Sequence, residues 1–119
     1  MANARIERYL KKANKDFDQS KQFLELVQLI KTLCEKWEKE DLGEYPEAAI
    51  RAYVITGSTK EAANLLTKKG YRNNTRNYNG QDITAAILDD SEKVRSIEGI
   101  EDIKMYFTYG KERTDKKYN

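Results

Sequence analysis

The strongest pattern of apolar positions along the chain lies between residues 19 and 40. Its members recur at alternating intervals of three and four residues, and they are Phe23, Leu26, Ile30, Leu33 and Trp37. This spacing predicts one long amphipathic helix, because residues three, four and seven apart share a helix face. Val27 and Cys34 widen the stripe, which favours packing within the chain's own core. A dimer seam formed by the same five residues is the alternative.

A shorter amphipathic helix is predicted over residues 3–15, which carry five basic residues and one acid. Its apolar positions are Ile6, Tyr9, Leu10 and Ala13. Asp16 or Asp18 is then placed to cap the long helix that follows. Residues 3–41 are therefore expected to form the amino-terminal helices.

Two further helices are predicted between Pro46 and Gly70. Pro46 suits the first turn of a helix, where its missing N–H costs nothing, and Gly57 closes that helix. Ser58 then suits an N-cap, with Glu61 three residues later completing a capping box. The inward positions are predicted to be Ala49, Ile50, Tyr53 and Val54 in the first helix, and Ala62, Ala63, Leu65 and Leu66 in the second.

Residues 71–80 (YRNNTRNYNG) favour turns over helix, so they predict a small hairpin or an irregular loop. Asn79-Gly80 is the strongest turn signal in the chain. The following sequence QDITAAILDD predicts a third helix, with Ile83, Ala86 and Ile87 buried.

Beyond this helix the sequence is less informative. Ser91 is placed to cap a short helix that runs through Ile97, and Gly99 breaks it. The later apolar residues Ile100, Ile103, Met105 and Phe107 fit a helix or a strand. Residues 111–119 are expected to be a flexible polar tail. The whole pattern predicts a mainly α fold with one small helical domain over residues 1–110.

Composition excludes several functional classes. The chain has no histidine, which removes the commonest general base and metal ligand. Its one cysteine cannot form an internal disulfide or a zinc knuckle. No apolar run approaches the roughly 18 residues of a membrane helix, and charges stand where a signal peptide needs its apolar segment. We therefore expect a cytoplasmic binding protein rather than an enzyme, with no cofactor, small-molecule substrate or membrane partner.

Charge is nearly balanced overall but unevenly distributed. The net charge is +2. Residues 58–80 hold five basic residues and one acid, whereas residues 89–102 hold six acids and two basic residues. Residues 21–47 are also acidic, with seven acids and four basic residues. A basic middle between acidic blocks is typical of a protein with one phosphate-facing side, although solvated helices also produce such segregation.

Residues 46–89 predict three successive helices, which is the layout of a helix-turn-helix. The sequence TGSTKEAANLLTKKGYR, followed by NGQDITAAIL, resembles the helix-turn-helix of phage and mobile-element proteins. It is especially similar to that of large serine recombinases. The chain lacks a serine-recombinase catalytic domain, so the resemblance implies DNA-contact roles alone. Its turn of ten or more residues is longer than that of repressor-type motifs.

The helix-turn-helix layout implies three groups of DNA contacts. Phosphate contacts are expected from Thr59, Lys60, Lys68 and Lys69. Loop contacts are expected from Arg72, Asn74 and Arg76, and base-edge contacts from Gln81 and Thr84 at the start of the third helix. The alternative for Arg72 is an ion pair with Asp82 or Asp89, and the loop asparagines serve equally well to hold turns.

Three residue types receive structural interpretations rather than contact roles. Asp82 would repel phosphate, so we interpret it as a helix cap rather than as an acceptor for a cytosine amino group. Tyr71 and Tyr78 are interpreted as satellite core residues rather than as platforms for stacked bases. Cys34, on the apolar stripe, is interpreted as a small buried hydrophobe.

The leading hypothesis is a small protein that binds duplex DNA and regulates transcription in a phage or mobile element, with homodimerisation as an option. The alternative is a protein-binding module that inhibits or sequesters a partner through its acidic surfaces. RNA binding is a weaker third hypothesis.

Overall fold

A computed structural model of the chain describes residues 3–7 and 21–108. Within these residues there are seven helical segments and no strand, which confirms the mainly α prediction. The segments are α1 (4–7), α2 (Lys21–Glu38), α3 (Glu47–Thr56), α4 (Thr59–Lys68), α5 (Gly80–Leu88), α6 (Glu92–Arg95) and α7 (100–108). The remainder of the predicted 3–15 helix, the caps at Asp16 or Asp18 and the 111–119 tail lie outside the described residues.

Helix α3 lies at the centre of the molecule and packs against α2, α4 and α5. Its sequence explains this position, because six of its ten residues are buried and three of these are alanines that admit close neighbours. The six are Ala48, Ala49, Ile50, Ala52, Tyr53 and Val54. Helices α4 and α5 also pack against each other, so the three helices predicted over residues 46–89 form one mutually packed unit.

The apolar stripe of α2 belongs to this core. Ile30, Leu33 and Trp37 are buried together with Val27 and Cys34. The favoured core interpretation is therefore confirmed, and the dimer seam is wrong for these three residues because the chain's own helices cover them. Leu26 is half-buried against the same core, and the side chain of Phe23 lies outside the described part of the structure.

The helix boundaries around α3 follow the predicted turn residues. Pro46 occupies the N-cap position, one residue before the helical turn in which it was expected. Gly57 ends the helix with a left-handed φ of 83°, a conformation that costs glycine little, and its N–H donates to the Tyr53 carbonyl at 2.7 Å.

The capping box predicted at the start of α4 is only half formed. Ser58 Oγ accepts a hydrogen bond from the Glu61 N–H at 3.0 Å. The second hydrogen bond of the box, in which the Ser58 N–H would donate to the Glu61 carboxylate, is not made in the described structure. Ala62, Ala63 and Leu66 are buried as expected, and Leu65 is half-buried.

The loop between α4 and α5 turns at a different place from the one predicted. Asn73 and Arg76 form an isolated antiparallel bridge, with backbone hydrogen bonds of 2.8 and 3.2 Å. Asn74 adopts a φ of 58° inside this turn, a conformation that asparagine tolerates better than most residues. Asn79-Gly80, the predicted turn, instead starts helix α5. The turn prediction was wrong because Asp82 converts this dipeptide into a helix start.

The carboxyl-terminal part of the described chain is helical. Ser91 precedes α6 but does not cap it with its side chain, since its hydroxyl donates to the Asp89 carboxylate at 3.1 Å. Residues 100–108 form α7, which resolves the open choice between helix and strand. The buried residues of α7 are Ile100, Ile103, Tyr106 and Phe107. Met105, which was grouped with the apolar positions, is 59% exposed.

The first described residues are attached to α3 and α7. The Asn3 side-chain amide donates to the carbonyl oxygens of Val54 and Ile55 at 3.0 and 3.2 Å. Arg5 donates to the carbonyl oxygen of Tyr106 at 3.2 Å, and Ile6 is buried. These contacts attach the amino-terminal segment to the core, where it contacts the carboxyl-terminal end of α3.

Candidate nucleic-acid interface

The first turns of α4 and α5 lie side by side. A Cβ atom added at Gly80 would stand 3.3 Å from Thr59 Oγ1 and 3.9 Å from the Lys60 backbone nitrogen. The absence of a side chain at Gly80 therefore allows the two helix starts to approach each other. This approach positions residues from two separate parts of the sequence at one surface.

A surface groove of about 750 Å³ runs along this junction. It is lined by Thr59, Asn79, Gly80, Gln81, Thr84 and Ala85. Three predicted DNA contacts, Thr59, Gln81 and Thr84, thus share one groove. Lys60, a fourth, is exposed and follows Thr59 directly. We call this surface the α4–α5 groove.

The outer face of α5 is uncharged. Gln81, Ala85 and Leu88 are exposed, Leu88 by 52%, and Thr84 is half-buried between them. Their spacing of three and four residues places them on one face of the helix. The opposite face holds Ile83, Ala86 and Ile87, which are all buried as predicted. The helix is therefore fixed to the core along one side and presents polar and small apolar groups on the other.

A complete capping box holds the start of α5. Asn79 Oδ1 accepts from the Asp82 N–H at 3.0 Å, and the Asp82 carboxylate accepts from the Asn79 N–H at 2.8 Å. The interpretation of Asp82 as a helix cap is confirmed.

Arg76 binds the same carboxylate through both of its terminal nitrogens, at 2.8 and 2.9 Å. The guanidinium hydrogen bond is the main cause that lowers the pKa of Asp82 below its ordinary value. The alternative for Arg72, an ion pair with Asp82 or Asp89, is wrong. The turn at Asn74 brings Arg76 back to the start of α5, whereas Arg72 donates to the neighbouring Tyr71 carbonyl.

Three tyrosines connect the loop between α4 and α5 to the rest of the structure. Tyr45 and Tyr78 stack with ring centroids 5.0 Å apart, and the Tyr45 hydroxyl donates to the Asp82 carbonyl at 3.0 Å. The Tyr71 hydroxyl donates to the Gly43 carbonyl at 2.6 Å. Tyr71 and Tyr78 both pack against the core, which confirms that they are satellite core residues.

Other predicted contacts lie at the far end of α4. Lys68 and Lys69 are exposed there, about 14 Å from Thr59 along a helix that rises 1.5 Å per residue. Lys69 shares a second, smaller pocket with the acidic residue Asp41. Arg72 and Asn74 are exposed in the loop. The structure thus separates the predicted contacts into the α4–α5 groove and a more distant basic group.

Four of the thirteen acids in the two acidic blocks form ion pairs in the described part of the structure. Glu98 pairs with Lys36 at 2.7 Å, and Asp90 lies 3.3 Å from Arg95. Arg51 contacts both Glu40 and Glu47. These pairs place a positive charge beside four of the acids.

Neither a metal centre nor a reactive thiol is found in the described part of the chain. It contains no group of three or more candidate metal-ligating side chains. Cys34 is buried, and burial is the largest cause that raises the pKa of its thiol to about 12. None of the described helices has the length and apolar character needed to cross a membrane.

The groove includes residues that the sequence prediction of contacts omitted. Asn79 and Gly80 were assigned to a turn and given no contact role. The spacing Asn79-x-x-Asp82 is itself a capping-box signature, so it contained the signal needed to place the helix start at Asn79.

No known protein family, curated protein or solved structure is significantly similar to this chain. The assignment of a function therefore depends on the chemistry of the groove and the surfaces around it.

Proposed function

We propose that this protein binds duplex DNA through a helix-turn-helix formed by α3, α4 and α5, with α5 entering the major groove. The observation that carries the proposal is the meeting of Thr59, Gln81 and Thr84 in the α4–α5 groove. A helix with one buried side and one exposed polar side suits this role, because the major groove of B-DNA admits an α-helix.

The electrostatics of the groove support phosphate contacts at its edge. The first backbone N–H groups of a helix lack partners within the helix, and the helix dipole makes this end favourable for anions. Here two such ends adjoin, and Lys60 supplies a full positive charge beside them. Of the two acids in these first turns, Asp82 is paired with Arg76 and Glu61 is exposed. Phosphates placed at this edge would hold α5 against the base pairs.

The long loop between α4 and α5 is compatible with this arrangement. The loop doubles back at the Asn73–Arg76 bridge, and Arg76 then ties it to the first turn of α5 through Asp82. The start of the proposed recognition helix is therefore fixed although its connection to α4 is longer than the turn of repressor-type motifs.

We propose that the protein acts by occupying a DNA site, as a regulator of transcription and without catalysis. Phage or mobile-element origin belongs to the same proposal and follows from the sequence resemblance alone. Pairing with Lys36, Arg51 and Arg95 neutralises four acids of the surfaces on which the protein-binding alternative depends.

The proposal is tested by fluorescence anisotropy of a labelled mixed-sequence duplex at about 50 and 200 mM salt. We expect a Kd of about 1–100 µM at the higher salt and a steep loss of affinity between the two concentrations. Lys60→Gln should weaken binding and reduce the salt slope by about 1, as expected for one phosphate contact.

Lys93→Gln serves as the matched control. Lys93 is an exposed lysine of α6, outside the α4–α5 groove, so its loss changes net charge equally but should leave binding nearly unchanged. An absence of binding at low salt, or equal losses for the two variants, would contradict the proposal.

A further inference from the structure

The two charged side chains beside the start of α5 are both types that read G·C base pairs. Arginine donates two hydrogen bonds to guanine O6 and N7, and aspartate accepts from the cytosine amino group. Arg76 and Asp82 stand at the place from which a recognition helix contacts base edges. Their availability therefore decides what α5 reads.

Each of these two groups is occupied by the other. The two Arg76 terminal nitrogens bind the two Asp82 oxygens at 2.8 and 2.9 Å, which uses the paired donors that guanine would need. The Asp82 carboxylate also accepts from the Asn79 N–H at 2.8 Å, and its side chain is only 16% exposed. Release of Arg76 would cost the bidentate pair, and release of Asp82 would cost the pair and also disturb the capping box.

The side chains left on the outer face of α5 suit A·T pairs. Glutamine forms paired hydrogen bonds with adenine N6 and N7, whereas threonine methyl and alanine contact the thymine methyl group. Gln81, Thr84 and Ala85 all line the α4–α5 groove, and no basic side chain stands among them on α5. Lys60 belongs to α4, where it faces the proposed phosphate contacts.

We infer that the DNA site of this protein is rich in A·T pairs, with Gln81 on an adenine and Thr84 and Ala85 against thymine methyl groups. This inference rests on the proposed DNA binding and adds the class of site that is recognised. The Arg76–Asp82 pair acts as a specificity device, because it withdraws the groups that would select guanine or cytosine.

The first experiment uses the unmodified chain. Sites are selected from a random duplex library, and the selected site is then remade with uracil in place of thymine or 7-deazaadenine in place of adenine. We expect A·T-rich sites, a loss of affinity when the thymine methyl is removed, and a loss when adenine N7 is removed. Gln81→Ala should lower the preference for the contacted adenine by about 5- to 150-fold.

The second experiment releases Arg76. Asp82→Asn keeps a side-chain oxygen to accept the Asn79 N–H but removes the charge that holds the guanidinium, so the selected site should gain a guanine. The double variant Asp82→Asn/Arg76→Gln should lose that guanine again, which assigns the gain to Arg76. Helix content by circular dichroism identifies any variant that fails to fold, and the measurements on the unmodified chain remain decisive in that case.

The outcomes distinguish failure of the proposed function from failure of the A·T inference. Failure of the unmodified protein to bind any duplex overturns the proposed function. Selection of G·C-rich sites, or affinity that is indifferent to both base analogues, overturns the A·T inference while the proposed function stands.

Discussion

The starts of α4 and α5 lie next to each other but are held in different ways. At α4 the Ser58 hydroxyl accepts one N–H, and the acid three residues later does not return the bond. At α5 the Asn79–Asp82 box is complete, and its acid also binds Arg76. The same spacing of cap and acid therefore gives one capping hydrogen bond at the start of α4 and a network of four hydrogen bonds at the start of α5.

The difference arises from what surrounds the acid. Glu61 is exposed and has a longer side chain, whereas the Asp82 carboxylate is bound by Arg76 of the loop and the Asp82 carbonyl by the Tyr45 hydroxyl. A charge-assisted, bidentate hydrogen bond fixes a carboxylate more firmly than solvent does. The loop therefore adds to the α5 cap a connection that the α4 cap lacks in the described structure.

The largest expected effect comes from separating the two helix starts. Gly80→Val would place branched carbons against Thr59 and the Lys60 backbone, so α5 should move away from α4. We expect a loss of about 1–3 kcal/mol in the free energy of unfolding, measured by urea denaturation, because overpacking at a close contact is costly.

Gln81→Val is the control for this substitution. It introduces the same side chain one residue later, at an exposed position, and should change stability by less than about 0.5 kcal/mol. Equal losses for the two variants would show that β-branching in the first turn, and not the contact with α4, determines the effect.

Removal of the N-cap of α5 should have the next largest effect on the free energy of unfolding. Asn79→Ala removes the acceptor for the Asp82 N–H and should cost about 1–2 kcal/mol, at the upper end for an N-cap. The measurement is thermal unfolding followed by circular dichroism. A cost below that of the corresponding change at Ser58 would contradict the comparison of the two helices.

Ser58→Ala should cost less, about 0.5–1 kcal/mol, because one hydrogen bond is lost and no network depends on it. The same thermal measurement applies. Ser58→Asp offers a second check, since it restores an acceptor and should recover most of the loss.

The smallest effect is expected from pH. The pKa of Asp82 is lower in the folded protein than its ordinary value, so ionised Asp82 stabilises the fold above about pH 4. This contribution disappears as the pH falls through the lowered pKa. The stability difference between the unmodified chain and Asp82→Asn should therefore be present at neutral pH and vanish in acid. A constant difference across the range would exclude the charge as its cause.

Much of the helical order was predictable from local signals. Pro46, Gly57 and Ser58 marked the boundaries of α3 and α4, because each acts through its own backbone preference or its own side chain. The stripe of α2 was likewise visible, since burial of a periodic face is a property of one segment. The choice between helix and strand for residues 100–108 was left open because Tyr106 was not counted among the apolar positions. Tyr106 completes the helical spacing after Ile103.

Part of the candidate site could be proposed from the sequence, but the ion pair beside it could not. Thr59, Gln81 and Thr84 were identified from their positions at helix starts, and the α4–α5 groove does join them. The partner of Asp82 was not predictable, because it depends on the path of the loop. The left-handed conformation of Asn74 turns the chain so that Arg76, rather than Arg72, returns to α5.

The close approach of Gly80 to Thr59 has an evolutionary consequence. Two positions twenty-one residues apart in the sequence share one small volume, so their sizes are coupled. A homologue with alanine at position 80 is expected to have a smaller residue at position 59, and a larger residue at position 59 requires glycine at position 80. Correlated substitution at positions 59 and 80 among homologues would be evidence from sequences alone for the contact between α4 and α5.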